Sequence, residues 1–116
     1  IERAVPGGAA VSFCGATGYV GLVGMLAASK LVISNDSGPL HVAAALGSPV
    51  VGLFGPTLPS LTGPVASGTV RTLHKDFGCE LPCFFEHCVN RVCLDRLSVD
   101  EVMAAAEDAI GVKVGR

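Results

Sequence analysis

Mostly apolar segments of four or five residues, separated by turns rich in glycine and proline, are the main pattern in the first two thirds of the chain. They predict strands at residues 9–13, 31–34, 50–54 and 69–73. Runs without a polar residue at every second position are typical of a parallel sheet covered on both faces. The stretch at residues 57–67, with its prolines and glycines, is predicted to be a loop.

Two apolar helices are predicted between these strands. The first, at residues 19–28, is apolar on nearly every side, and Gly21 and Gly24 would let a neighbouring element approach closely. The second, at residues 39–46, is rich in alanine and ends at Gly47. Strands that alternate with helices predict right-handed βαβ crossovers, and therefore an α/β fold with helices flanking a parallel sheet.

A third predicted helix, at residues 98–110, carries signals at both ends. Ser98 and Glu101 have the spacing of a capping box, and Gly111 follows the last turn. Its larger apolar residues fall on one stripe, which predicts the face that packs on the sheet. The stripe consists of Val99, Val102, Met103, Ala106 and Ile110.

The turn between residues 31–34 and the alanine-rich helix has the parts of an anion-binding site. Ser37 can cap the helix, and Gly38 lets a ligand approach the backbone closely. Free N–H groups of a first helical turn, with the helix dipole behind them, favour a phosphate. His41 lies one turn further along, on the side that can face that phosphate. The same residues also fit a plain strand-to-helix turn with a capping serine and a core histidine.

Asp36 precedes this helix in a part of the chain that is almost free of charge. Lys30 is the one other charged residue at positions 5–69. A carboxylate in such a region is costly to bury unless it is paired or hydrogen-bonded, which suggests a specific role. Thr17 and Thr57 lie in turns at the same edge, and for them a simple turn hydroxyl remains the alternative to a binding role.

Ligands of open α/β sheets bind beyond the carboxyl ends of the strands. The turns at residues 14–18, 35–38 and 55–59 all reach that edge. We therefore predict that the candidate binding residues gather there: Thr17, Asp36, Ser37, Gly38, His41 and Thr57.

The segment at residues 36–57 resembles the signature of the ADP-heptose:lipopolysaccharide heptosyltransferases, glycosyltransferase family 9. That signature reads D-[ST]-G-P-x-H-x-A-A-A-L-G-x-P-V-V-x-L-F-G-P-T, and the chain matches it without a gap. Gly15-Ala16-Thr17 is similar to the family's G-K-T, although Ala16 replaces the usual lysine. The cysteines at residues 79–93 resemble a segment that many members carry near the C-terminus. The resemblance runs from about residue 11 to residue 110 and covers only the C-terminal part of a family member.

The resemblance implies that residues 1–116 form a single C-terminal nucleotide-sugar-binding domain, the Rossmann-like half of a GT-B glycosyltransferase. The donor would be ADP-heptose, and the acceptor, the lipopolysaccharide inner core, would bind through an N-terminal domain that is absent here. Ser37, Gly38 and His41 would hold the diphosphate, and Asp36 would orient the sugar. Thr17 completes the predicted binding set. No catalytic residue is expected in the chain, since the family's base belongs to the missing domain, and no cofactor is required.

Length and charge agree with this reading. The 116 residues suffice for one domain, and a net charge of −2 gives no indication of nucleic acid or an acidic membrane surface. No apolar run reaches the ~18 to 20 residues of a membrane span, and no secretory signal begins the chain. A start at Ile1 rather than Met suggests a piece of a longer bacterial protein. We expect that protein in the cytoplasm or peripheral to the inner membrane.

Residues 74–96 are predicted to be an irregular loop that holds four cysteines. Their spacing is C-x3-C-x4-C-x4-C, from Cys79 through Cys83 and Cys88 to Cys93. Four thiolates could hold a structural zinc or iron ion tetrahedrally. Reduced or adventitiously oxidised thiols without a metal are the alternative, because the spacing contains no C-x2-C pair.

Three other side chains are predicted to lie outside the binding set. Cys14 is expected to be a small buried apolar residue. His74 and His87 are expected at the surface, although His87 could serve as an alternative metal ligand beside the cysteines.

Two other function classes remain open. A nucleotide-binding or regulatory module would use the same anion site without transferring sugar, and would not prefer a sugar-bearing nucleotide. A metal-organised interaction module, built around the cysteine loop, would contain stoichiometric metal.

Overall fold

The computed structural model describes residues 5, 7, 9–84 and 88–113. This part of the chain contains three strands and five helices. Their order is α1 (Tyr19–Ala28), β1 (Val32–Asn35), α2 (Gly38–Ala45), β2 (Val50–Phe54), α3 (Pro59–Thr62), β3 (Val70–His74), α4 (Val92–Asp95) and α5 (Val99–Ile110).

The strands form a parallel sheet in the order β1-β2-β3, so that β2 is the central strand. Successive side chains of β2 point to opposite faces of the sheet and join two apolar clusters. Val50 packs with α1 and α2 on one face, and Val51 packs with α5 on the other. The prediction of a parallel sheet flanked by helices is therefore confirmed.

The larger core cluster lies between the sheet and the first two helices. Its buried members are Leu26, Val32, Leu40, Ala43, Ala44, Val50 and Phe54. The alanines let α2 lie close to the strands. Gly52 extends this close fit, because a Cβ there would lie 2.8 Å from the Phe54 ring and 3.0 Å from a Leu40 methyl.

The strand predicted at residues 9–13 is wrong. These residues form no regular element, and the side chains of Val11 and Phe13 are 68% and 50% exposed. An apolar run becomes a strand only where a neighbouring strand satisfies its backbone groups. In the described part of the chain, the sheet ends at β1.

Three predicted elements are confirmed with their ends shifted by a residue: β1, α2 and β3. Two short helices were not predicted. α3 interrupts the loop at residues 57–67, where Pro59 begins a single turn, and α4 interrupts the cysteine segment at residues 74–96.

α1 forms where it is predicted but packs less closely than expected. Leu26 is its one buried residue, and Val20 is 85% exposed. A Cβ on Gly24 would meet no described atom within 4 Å, and one on Gly21 would meet only Thr17. The two glycines therefore do not mark a close contact with another element of the described chain.

The ends of α5 are confirmed. The Ser98 hydroxyl accepts a hydrogen bond from the Glu101 N–H, and the Glu101 carboxylate accepts one from the Ser98 N–H. The Lys75 ammonium, 2.8 Å from that carboxylate, and the Ser98 donors lower the pKa of Glu101 to about 2. Gly111 ends the helix with a φ of +68°.

The predicted stripe on α5 is only partly correct. Ala106 is buried as expected, but Val99 is 78% exposed and Ala109 takes a buried place that the stripe omits. The helix packs through its alanines, because small side chains let its backbone approach the sheet. Arg71 of β3 also pairs with Asp108, which ties the helix to the sheet from the side.

Replacement of Ala44 by leucine tests the close packing of α2 on the sheet. Ala44 is fully buried, so the larger side chain should lower the free energy of unfolding by about 1–3 kcal/mol. Chemical denaturation measures this change, with Ala104→Leu on the exposed side of α5 as the control. Equal denaturation midpoints for the two variants would contradict a tightly packed interface.

Candidate functional site

Two neighbouring strands bring the candidate residues to one edge of the sheet. Asp36 directly follows β1, and Thr57 lies three residues after β2. Because the strands are parallel, their carboxyl ends meet at the edge where α/β proteins bind ligands. A crevice of about 220 Å³ opens there, lined by Asn35, Asp36, Leu53, Gly55, Pro56, Thr57 and Leu94.

Asp36 is the centre of a hydrogen-bond cluster in this crevice. Its Oδ2 accepts bonds from the Thr57 hydroxyl at 2.6 Å and the Thr62 hydroxyl at 2.7 Å. Its Oδ1 lies 3.0 Å from Nε2 of His41. The Asp36 side chain is only 12% exposed, and these three contacts offset the cost of removing a carboxylate from water. The cluster joins the turn after β1 to the loop after β2.

The cluster also keeps Asp36 ionised. Burial alone would raise the pKa of this carboxyl, but the hydrogen bonds from Thr57, Thr62 and His41 outweigh it and hold the pKa below its ordinary value of 3.8. At neutral pH, Asp36 is therefore a charged hydrogen-bond acceptor. A carboxylate whose pKa lies below its ordinary value is a weak general base at neutral pH.

Ser37 occupies the N-cap position of α2, but its hydroxyl does not cap the helix. The hydroxyl donates instead to the Asn35 carbonyl at 3.1 Å and lies 3.2 Å from the Ser34 hydroxyl. The predicted side-chain cap is thus wrong, because the carbonyl two residues earlier competes for the hydroxyl. Within the described chain, the first turn of α2 has no side-chain cap. Pro39 has no N–H and the Leu40 N–H donates to the Ser37 carbonyl at 3.1 Å, so the Gly38 N–H is the donor of this turn that is left for a ligand.

Gly38 and His41 complete the start of α2. A Cβ on Gly38 would meet no described atom within 4 Å, so the space beside this residue is open. The His41 side chain is 42% exposed and its ring contacts Asp36, which rules out the alternative of a core histidine. The structure therefore places Asp36, Ser37, Gly38, His41 and Thr57 together, as predicted.

Comparison with known proteins gives the family. The model of glycosyltransferase family 9 (heptosyltransferase) matches residues 1–93 of the 116. The chain belongs to this family. The resemblance drawn from residues 36–57 is thereby confirmed, and this signature segment supplies most of the residues that line the crevice.

Curated relatives of this family 9 chain are bacterial heptosyltransferases. Lipooligosaccharide heptosyltransferase 2 of Campylobacter jejuni is 30% identical over 101 residues, which are 85% of this chain and 31% of the relative. Lipopolysaccharide heptosyltransferase 2 of Escherichia coli K12 is 50% identical over 42 residues, 36% of this chain and 12% of the relative. Lipopolysaccharide heptosyltransferase 1 of Pseudomonas aeruginosa is 40% identical over 68 residues, 59% of this chain and 19% of the relative.

The chain spans less than a third of each of these relatives. No solved structure matches it significantly. Among the residues that the structure describes, no helix is long and apolar enough to cross a membrane.

Two threonines depart from the sequence prediction. Thr17, where the family has G-K-T, is exposed before α1, and no hydrogen bond joins it to the Asp36 cluster in the described residues. Thr62 belongs to the cluster but was missed, because it lies 26 positions from Asp36 in a predicted loop. Pro59, a residue that favours the first helical turn, is the signal that could have indicated α3 and so placed Thr62 near this edge.

The cysteine segment packs against the loop that follows β2. The Cys83 N–H donates to the Pro56 carbonyl at 2.7 Å. A Cβ on Gly55 would lie 2.7 Å from Leu94 and 3.2 Å from the Cys93 sulfur. The absence of a side chain at Gly55 thus lets α4 close one wall of the crevice.

Three other sequence predictions have mixed outcomes. Cys14 is exposed, because the strand expected to bury it does not form. His74 is half-buried rather than at the surface, and its Nε2 is buried without a partner in the described residues. His87 lies outside the described residues.

The metal hypothesis stays a prediction. Cys79, Cys83, Cys88 and Cys93 are all free thiols, and three of them line an open depression of about 630 Å³ with Phe84. Among the described side chains, no group of three or more His, Cys, Asp or Glu is placed to hold an ion.

Elemental analysis of freshly purified, reduced protein tests this hypothesis. A structural site predicts one zinc or iron ion per chain, and chelation should then loosen residues 76–96. Cys83→Ser should release the ion, whereas Cys14→Ser should retain it. Protein without either metal would end the idea.

Proposed function

We propose that the chain is the donor-binding domain of a GT-B heptosyltransferase that transfers heptose from ADP-heptose to the lipopolysaccharide inner core. An N-terminal domain outside this chain would supply the acceptor site and the catalytic base. The observation that carries the proposal is an ionised Asp36 in a crevice at the carboxyl edge of the sheet, beside an uncapped helix start. The sugar and the acceptor class follow from the relatives, which are lipooligosaccharide and lipopolysaccharide heptosyltransferases.

The start of α2 would bind the diphosphate. Open space beside Gly38 lets phosphate oxygens approach the backbone, and the Gly38 N–H and the dipole of the helix favour negative charge. His41 lies on the same turn. Its Nε2 already bonds to Asp36, so a further hydrogen bond to the diphosphate would come from Nδ1 of the imidazolium form. These groups would also stabilise the charge that develops on the ADP leaving group during transfer.

Asp36 would orient the sugar by accepting a hydrogen bond from a hydroxyl. Its low pKa favours this role over that of a base, since the carboxylate stays charged and holds a proton weakly. We expect transfer to need no metal cofactor. We expect the whole protein in the cytoplasm or peripheral to the inner membrane.

Titration of the chain with ADP and ADP-heptose, followed by NMR chemical shifts, tests the proposal. Both ligands should bind weakly, because half of the cleft is absent, and ADP-heptose should bind more tightly than ADP. The shifts should centre on Gly38 and His41, and the chain alone should transfer no sugar.

The two other function classes give different results. A nucleotide-binding or regulatory module would bind ADP and ADP-heptose equally. A metal-organised interaction module would bind neither ligand at this crevice. Either result would overturn the proposed function.

A further inference from the structure

Thr62 bonds to the carboxylate at the centre of the crevice, although it is itself exposed. Its hydroxyl lies 2.7 Å from Oδ2 of Asp36 and 3.2 Å from the Leu58 carbonyl. A hydroxyl has one proton to donate, and the shorter contact to a charged acceptor is the stronger one. The proton therefore goes to Asp36.

The backbone of α3 fixes the place of Thr62. Pro59 begins the turn, and the Thr62 N–H donates to the Leu58 carbonyl at 2.9 Å. The next N–H, of Gly63, donates to the Pro59 carbonyl. Thr62 is thus held by a closed helical turn rather than by a loose loop.

The number of bonds that Asp36 can accept shows what Thr62 does. A carboxylate has about four acceptor sites, two on each oxygen. In the described chain, Thr57 and Thr62 fill both sites of Oδ2, and His41 fills one site of Oδ1. One site remains, and it lies on Oδ1.

We propose that Thr62 is a positioning residue that, together with Thr57, saturates Oδ2 of Asp36 and directs the hydrogen bond of the donor sugar to Oδ1. The proposal rests on the proposed function, in which Asp36 accepts a bond from the sugar. Without the Thr62 hydroxyl, Oδ2 regains an open site, and water or a different hydroxyl can bind there. Thr62 would then set the preference for the sugar-bearing nucleotide without touching the sugar itself.

The test measures the affinity of the chain for ADP and for ADP-heptose by NMR titration. Thr62→Val, nearly the same size but without a hydroxyl, should weaken ADP-heptose binding about three- to tenfold, as expected for one hydrogen bond, and leave ADP binding unchanged. Thr62→Ser should restore the preference. Ser60→Ala removes another exposed hydroxyl of α3 and should have no effect. Thr62→Ala serves as a second variant, and thermal denaturation checks the fold of each.

The outcomes separate this inference from the proposed function. Equal weakening of both ligands by Thr62→Val, or no weakening, would overturn the positioning role. If Asp36→Ala removes the preference for ADP-heptose and Thr62→Val keeps it, the positioning role falls while the proposed function stands. If the unsubstituted chain shows no preference, both fall. A raised Asp36 pKa in Thr62→Val, read from the carboxyl ¹³C shift, together with the lost preference, supports the inference.

Discussion

Replacement of Asp36 by alanine is expected to weaken ADP-heptose binding about tenfold or more while leaving ADP binding nearly unchanged. The carboxylate is the proposed partner of the sugar, and truncation of a charged acceptor removes one of the stronger kinds of hydrogen bond. The same change should lower the free energy of unfolding by about 1–3 kcal/mol. His41, Thr57 and Thr62 would all lose their shared acceptor. NMR titration and chemical denaturation measure the two effects separately.

Two variants control this experiment. Asp36→Asn keeps the shape but removes the charge, so it should fall between the unsubstituted chain and Asp36→Ala in both measurements. Asp95→Ala removes an exposed carboxylate of α4 and should change neither. Parental affinity for both ligands in Asp36→Ala would show that the sugar does not bind at this carboxylate.

The stability contributed by Asp36 should also depend on pH. Its pKa is lower in the folded chain than the ordinary value of 3.8, so the contribution is fully present above that value. It is lost as the pH falls through the folded-state pKa. The difference in unfolding free energy between the unsubstituted chain and Asp36→Asn should therefore be constant near neutral pH and shrink below about pH 4. A difference that grows on acidification would contradict the lowered pKa.

The sequence predicted the elements that depend on local signals. Ser98, Glu101 and Gly111 define the ends of α5 through bonds within one or two helical turns, and these are confirmed. The turn after β1 was also readable, because Asp36 is conspicuous in an apolar stretch. The strand predicted at residues 9–13 failed for the opposite reason: whether an apolar run becomes a strand depends on a partner that its own residues do not determine.

The site shows the same division between local and long-range information. Asp36, in the turn after β1, and His41, in the first turn of α2, are five positions apart, and sequence reasoning placed them together. Thr62 reaches Asp36 because the loop after β2 and the single turn of α3 bring it next to the turn after β1. No spacing in the sequence predicts that contact. The Ser37 hydroxyl failed to cap α2 because a nearby carbonyl competed for it, a choice between two local bonds that composition does not decide.

Replacement of Gly38 by valine is expected to weaken ADP and ADP-heptose about equally, by tenfold or more, while the chain stays folded. Open space surrounds a Cβ at this position, in contrast to Gly52, where a Cβ would lie 2.8 Å from the Phe54 ring. The valine methyl groups would occupy the space proposed for the diphosphate, which both ligands share. Gly38→Ala should give a smaller loss of the same kind.

Gly24→Val is the matched control for this prediction, because Gly24 is another helical glycine with no described atom within 4 Å of a Cβ. Both valine variants should change the free energy of unfolding by no more than about 1 kcal/mol, and Gly24→Val should bind both ligands normally. If Gly38→Val weakened the binding of ADP-heptose alone, the start of α2 would be the sugar subsite rather than the diphosphate subsite. Normal binding of both ligands would mean that the turn is purely structural. The pattern of losses therefore distinguishes the two subsites: Asp36→Ala should act on the sugar alone, and Gly38→Val on the part that both ligands share.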